Sequence, residues 1–158
     1  MADDNQNILQ RVMAKKIRKS KNLVNKKARF EYTFVENLEA GIVLTGEEIK
    51  AVRANKLQLT GSHVRIIAGE VYWIGGIISV ATGDQQRSRK LLLHQAEIEK
   101  LVGKSEEKGL TIVPTKIYLK HGRAKLDIAL ARGKKLHDKR EVMKQRDLER
   151  ESARNIKH

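Results

Sequence analysis

The residues from which chemistry is usually built are present in this chain, but their spacing supports none. His63, His94, His121, His137 and His158 include no pair at zinc-finger or zincin spacing. The chain has no cysteine, which excludes thiolate metal sites, disulfides and thiol redox chemistry. Gly103-Lys104 and Gly133-Lys134 end like a phosphate loop, yet the position five before each glycine is Ile98 or Ile128 where such a loop needs glycine. Glu47-Glu48 and Glu106-Glu107 are adjacent pairs in helix-forming surroundings, so their carboxylates point in different directions and read as solvated helix surface. No Ser or Thr stands in a nucleophile motif. No catalytic residue, metal site or cofactor is expected.

What remains is basic. Arg87-Ser88-Arg89-Lys90 stands just before or at the start of a predicted helix, where its cations and free backbone N–H groups either converge on phosphates or form a solvated helix start. Near the C-terminus, Lys139, Arg146, Arg150, Arg154 and Lys157, drawn at 100° per residue, fall within an arc of about 80°. None of the tail's acids enters that arc. A polar helix with such a stripe and nothing to bury implies an external polyanionic surface.

The elements that must position these residues are short. Phe30 to Val35 and Ala40 to Leu44 read as strands, with Gly41 marking a bulge or a close backbone approach. Glu47 to Ala54 reads as a helix opened by a capping box from Thr45 to Glu48, with Asn55 suited to a left-handed C-cap. Val64 to Ile67 and Val71 to Ile74 flank a hairpin turn at Ala68-Gly69; Ile112 to Lys120 and Arg123 to Leu130 flank another at His121-Gly122. Ser88 to Val102, stopped by Gly103, is predicted as the longest helix of the body. Many short strands with few helices favour a mainly β fold, a small closed or nearly closed barrel.

The formal charge of +14 is uneven. Residues 1 to 29 carry nine basic and two acidic side chains, residues 30 to 131 fourteen and twelve, and residues 132 to 158 ten and five. The ends therefore hold nearly all of the excess, as expected of arms that meet nucleic acid. Residues 1–24 are read as a basic arm, 25–132 as the folded domain, and 133–158 as a tail too poor in large apolar residues to fold alone. Met1 to Gln10 lacks the basic and apolar runs of a signal peptide, and no later run could cross a bilayer, so a soluble cytoplasmic protein without a membrane partner is expected.

Read together, NKKARFEY from Asn25 to Tyr32, EAGIVLTGEEIKAVRANK from Glu39 to Lys56, RSRKLLL from Arg87 to Leu93 and GKKLHDKR from Gly133 to Arg140 resemble the signature runs of the SsrA-binding protein family (small protein B). The resemblance covers roughly residue 17 to the C-terminus. Two features depart from the family pattern: Ser79 to Gln86 is shorter and lacks the usual Asp-Pro, and Asn55 stands where the family often has glycine.

The resemblance implies an OB-like β-barrel with a C-terminal tail that stays disordered until bound to the ribosome. It implies a non-catalytic protein that binds the tRNA-like domain of transfer-messenger RNA and delivers it, with elongation factor Tu on the aminoacylated RNA, to stalled ribosomes for trans-translation. Contacts to the RNA elbow carry over to Asn25, Glu39 and Leu92, with Lys26, Arg29, Arg87, Arg89 and Lys90 as phosphate partners around them. Glu39 would accept hydrogen bonds from base or ribose donors, or else orient a nearby arginine, and Leu92 would contact RNA or fill the core. Gly133, Lys134, Lys135, His137, Asp138, Lys139 and Arg140 would enter the decoding centre and empty mRNA channel of the small subunit, with the stripe of Arg146, Arg150 and Arg154 behind them. A ribosomal protein or assembly factor that binds ribosomal RNA is the other class that suits a basic barrel with two basic extensions.

Overall fold

The computed structural model describes residues 22–156, so the basic arm up to residue 21 and the end of the tail, including Lys157, lie outside the described residues. The chain runs β1 (Leu23–Val24), α1 (Lys26–Glu31), β2 (Tyr32–Ile42), α2 (Gly46–Arg53), β3 (Leu57–Gln58), β4 (His63–Ile67), β5 (Glu70–Ile74), β6 (Ile77–Ile78), β7 (Arg89–Leu92), α3 (Gln95–Ser105), β8 (Leu110–Lys120), β9 (Arg123–Gly133) and α4 (Leu136–Ile156). All pairings are antiparallel, and the main sheet follows the order β1-β8-β4-β5-β7-β2-β9, with β9 pairing back onto β8. That return closes the strands from β8 round to β9 into a ring, which leaves β1 outside it as an added edge. Closure removes the free edges that a small sheet would otherwise expose.

The two predicted hairpins form as expected. Ala68-Gly69 and His121-Gly122 each hold two consecutive residues at positive φ, the geometry of a tight two-residue turn. The capping box at the start of α2 is complete: Thr45 Oγ1 accepts from the Glu48 backbone N–H, and Glu48 Oε1 accepts from that of Thr45. Asn55 has a φ of 58°, as its capping role requires.

Three expectations are corrected. Phe30 and Glu31 close helix α1, and β2 is one continuous strand where two were expected. The helix forms because the Asn25 side chain caps the Ala28 N–H, and because Ala28 is buried against Val113, Ala129 and Ala131 from β8 and β9. Leu23 and Val24, assigned to the arm, are paired with Ile117 and Lys116 of β8. The largest difference concerns the predicted helix from Ser88 to Val102. Its first part is strand β7, where Arg89 and Leu91 are buried and Lys90 and Leu92 exposed. The helix begins only at Gln95 and runs through Gly103, since one interior glycine costs only about 1 kcal/mol and does not by itself stop a helix.

The core gathers residues from nearly every strand, with Trp73, Val71, Ile78, Leu126 and Ile128 wholly buried. Inside it lies a charge. Glu48, read from sequence as solvated, is buried, and its carboxylate receives Arg87 on one oxygen and Arg89 on the other. Arg89 is 0% exposed. Its remaining guanidinium nitrogens donate to the carbonyls of Gly76 at 3.0 Å and Gln85 at 2.9 Å, and its plane lies 5.3 Å from the Trp73 ring, its cross-strand neighbour. Trp73 in turn donates to Ser62 at 2.8 Å. A Cβ at position 76 would fall 1.9 Å from the Trp73 ring, so only glycine lets the backbone pass close enough to offer Arg89 its carbonyl.

Burial alone would raise the Glu48 pKa, but the hydrogen bonds from Arg87, the Thr45 backbone and Arg89 outweigh it and bring it down from 4.5 to about 2. A carboxyl whose folded pKa is depressed contributes stability above its unfolded pKa and loses it as pH falls through the folded one. Glu48→Gln should therefore destabilise the domain by about 3–5 kcal/mol at neutral pH, the usual cost of stranding one partner of a buried ion pair. Urea titrations of both proteins should show that difference constant above pH 4.5 and shrinking between there and about pH 2. A difference that persists unchanged at the acid end would refute the ion-pair account.

Candidate nucleic-acid interface

Two residues that lie far apart in sequence meet on the outside of the ring. Gly41 of β2 pairs with Leu92 of β7, and Glu39, two residues earlier, shares the face of Gly41. A Cβ on Gly41 would lie 3.3 Å from Leu92 Cβ, so the glycine marks a close approach, one of the two meanings its position allowed. Leu92 is 54% exposed, which removes its core reading. Glu39, Gly41 and Leu92 border one cleft of about 700 Å³, and Arg123 and Lys125 of β9 bring positive charge to its wall.

Among the described residues Glu39 is paired with no arginine. It faces Asp127 directly across the β2–β9 ladder, and two carboxylates opposite one another repel. Tyr118 of β8 resolves this by sharing its hydroxyl between Glu39 and Asp127 Oδ1, the latter at 2.9 Å. Lys120 Nζ lies 3.5 Å from Glu39 and Lys116 Nζ 3.7 Å from Asp127. The Tyr118 hydrogen bond, with the charges of Lys120 and Lys125, holds the Glu39 carboxyl below its ordinary pKa against the opposing effect of burial. Burial and the two carboxylates push the Tyr118 phenol upward, so it remains a donor. Tyr118, Asp127 and Lys116 were not singled out from sequence. Only the ladder of β2, β9 and β8 brings them to Glu39.

The second group surrounds α1. Asn25 is buried: its amide donates to the Pro114 carbonyl at 2.9 Å and its oxygen caps the Ala28 N–H at 3.2 Å. Its side chain is thus spent on fixing α1 to β8, while Lys26 and Arg29 on that helix are exposed. The tail root is held here too. The Lys134 N–H donates to the Glu31 carbonyl at 2.8 Å and its ammonium to the Arg29 carbonyl at 3.1 Å.

The basic quartet does not sit at a helix start. Arg89 is corrected from phosphate partner to core residue, because its guanidinium is enclosed with Glu48 and reaches no surface. Arg87 is partly exposed but bonded to Glu48 and the Val43 carbonyl, and exposed Lys90 pairs with Glu70 at 2.9 Å. Leu91 and Leu92 fit the three- and four-residue spacing of Ala96, Ile98, Leu101 and Val102, yet belong to β7, because a short apolar run fits either period.

Gly133 ends β9, and Lys135, His137, Asp138, Lys139 and Arg140 lead into or begin α4, all exposed except Lys139, which is partly covered. No residue of α4 is buried. Arg146 lies 5.7 Å from the Phe30 ring of α1, while Arg150 and Arg154 are exposed beyond it. Among the described residues no cluster of His, Cys, Asp and Glu could hold a metal ion, and no helix is long and apolar enough to cross a membrane.

The family model described as SmpB protein matches residues 22–158. An SsrA-binding protein of Thermosynechococcus vestitus is 50% identical over 140 residues, covering 84% of this chain and 92% of its own. That of Burkholderia lata is 52% identical over 137 residues, covering 82% and 93%. Among solved structures, a chain from work titled "tmRNA-SmpB: a journey to the center of the bacterial ribosome" superposes with a TM-score of 0.65 at 45% identity, covering 77% of this chain and 94% of that one. A family model matched over residues 22–158, with relatives about half identical over most of the chain, means that the chain belongs to the SmpB protein family.

Proposed function

We propose that this protein binds the tRNA-like domain of transfer-messenger RNA and delivers it to stalled ribosomes, acting by binding and not by catalysis, in the cytoplasm. The observation that carries the reading is the layout of β2. One end of the strand supplies Glu39 and Gly41 to the cleft under Leu92; the other, at Tyr32, pairs with Gly133 at the root of the tail. Nine residue steps separate Tyr32 from Gly41, about 30 Å along an extended strand. One rigid strand thus holds an RNA-capturing end and a tail-bearing end at fixed separation, as a protein linking an RNA to the ribosome requires. A ribosomal protein or assembly factor would need no such division, and the family does not favour it.

At the capture end, Glu39 accepts hydrogen bonds from base or ribose donors while Lys120, Lys125 and Arg123 offset the repulsion between its charge and phosphates. Lys26 and Arg29 add phosphate contacts from α1, and Asn25 serves them by fixing that helix. Lys90, on the outward face of β7 with Leu92, and Arg87, bonded to the Val43 carbonyl at the cleft's border, contribute beside the cleft. Elongation factor Tu joins through the aminoacylated RNA. The tail, from Gly133 through Lys134, Lys135, His137, Asp138, Lys139 and Arg140, enters the decoding centre and the empty mRNA channel of the small subunit. There Arg146, Arg150 and Arg154 meet ribosomal phosphates. A polar helix with no buried residue is marginal by itself in water, so the ribosomal surface supplies its order.

Two outcomes are expected. Glu39→Ala should leave melting nearly unchanged, because an exposed acid facing another acid contributes little, yet weaken binding to the tRNA-like domain about tenfold in a gel-shift series. Equal affinities would remove Glu39 from the interface. Truncation after Lys135, which keeps the root bonds of Lys134, should spare both melting and RNA capture while abolishing peptide tagging in a reconstituted translation system. Arg146, Arg150 and Arg154 changed together to Glu should do the same without shortening the chain. Full tagging by the truncated protein would reduce the tail to a solubilising appendage.

A further inference from the structure

A second cleft, of about 520 Å³, opens between α1 and the outer face of β2, β8 and β9. Of the residues implied by the family resemblance, only Arg29 and Lys134 border it. Its floor is aromatic. Tyr32 and Phe34 are partly exposed, and both pack on the small cluster of Ala28, Val113, Ala129 and Ala131. Across the β2–β9 ladder, Tyr32 faces Gly133 and Phe34 faces Ala131, so neither ring has a large neighbour to cover it from that strand. The rim is cationic, with Arg29, Lys134 and Lys116 against a single carboxylate, Asp127, which Lys116 and Tyr118 already engage. Exposed Asn37 adds a donor and an acceptor at the edge of the floor.

An apolar ligand would not need the cations, and a phosphate alone would not need the rings. Rings, cations and an amide together match one unstacked nucleotide, whose base stacks on aromatic side chains while its phosphate meets lysine and arginine. The cleft volume lies within the range of about 300–1,000 Å³ typical of small-ligand sites. We propose that this cleft is a single-nucleotide site, in which an unpaired base of a bound RNA stacks on Tyr32 and Phe34, its phosphate meets Arg29 and Lys134, and its edge meets Asn37. The inference rests on the RNA-binding reading above and gives it a contact that neither Glu39 nor Leu92 makes. Since Lys134 also begins the tail, the nucleotide is held where the tail leaves the body.

The nucleotide comes either from the tRNA-like domain or from the small-subunit RNA, and the same chemistry serves both. Full-length protein is irradiated with 4-thiouridine-substituted tRNA-like domain in one arm and with small ribosomal subunits carrying the same label in the other. A crosslink within residues 32–37 in either arm supports the site, and the arm identifies the source. Phe34→Leu, which keeps an apolar side chain but removes the ring, should lower affinity for that RNA about tenfold. Asn37→Ala, at an exposed position, should weaken the crosslink without touching the floor, and carries the test alone if Phe34→Leu lowers melting. Absence of the crosslink in both arms while Glu39-dependent binding persists overturns the site and leaves the function standing. Failure to bind either RNA overturns the function, and the site with it.

Discussion

A buried carboxylate needs every one of its partners, and in this protein Glu48 sets that requirement. Its two oxygens bring together the first turn of α2, strand β7 and the loop before it; Arg89 then extends the network to the Gly76 and Gln85 carbonyls and to Trp73. An unpaired charge in the core would cost several kcal/mol, so these segments are fixed relative to one another. The short loop from Ser79 to Gln86 is one of them. Whatever length the family gives this stretch elsewhere, here Arg89 and the Ile78 N–H both hold its Gln85 carbonyl.

Fixing β7 in this way fixes the outer surface as well. Arg89 and Leu91 point inward, so Lys90 and Leu92 must point outward, and Leu92 arrives over Gly41 because β7 pairs with β2 at that register. The Glu39–Leu92 cleft is therefore a consequence of the buried ion pair, although none of the pair's atoms lies in it. A second restraint works on β2 from the other side, where Lys100 of α3 meets Glu36 at 2.6 Å beside the bulge between Phe34 and Glu36. The bulge changes which residues face outward, so Phe34 and Tyr32 precede it on the outer surface and Asn37 and Glu39 follow it.

The tail obeys different physics. Among the described residues it is attached through two hydrogen bonds of Lys134 and a cation–π contact from Arg146 to Phe30, and no residue of α4 is buried. Such contacts are worth only about 0.5–2 kcal/mol each. They set where the tail leaves the body but are too weak to decide where its far end goes, and Arg150 and Arg154 stand exposed beyond the Phe30 contact.

Several features were legible in the residues themselves because they are governed by local chemistry. The capping box at Thr45 and Glu48, the left-handed Asn55 and the two-residue turns depend on neighbours within a few positions, and each formed as read. The sorted charge of the tail belongs to the same class. What sequence alone could not decide depends on contacts between distant segments. Arg89 and Lys90 are adjacent cations, yet one is core and the other surface, because Glu48 offers a buried partner on the inner side of β7 while Lys90 meets Glu70 on the exposed side. Asn25 became a buried cap because Pro114 accepts its amide, and Glu39 acquired Tyr118 and Asp127 only when β2, β9 and β8 came into register. Local preference selects helix, strand or turn, but a charge becomes buried or exposed according to whether the fold brings it a partner, and that is settled only when the ring closes.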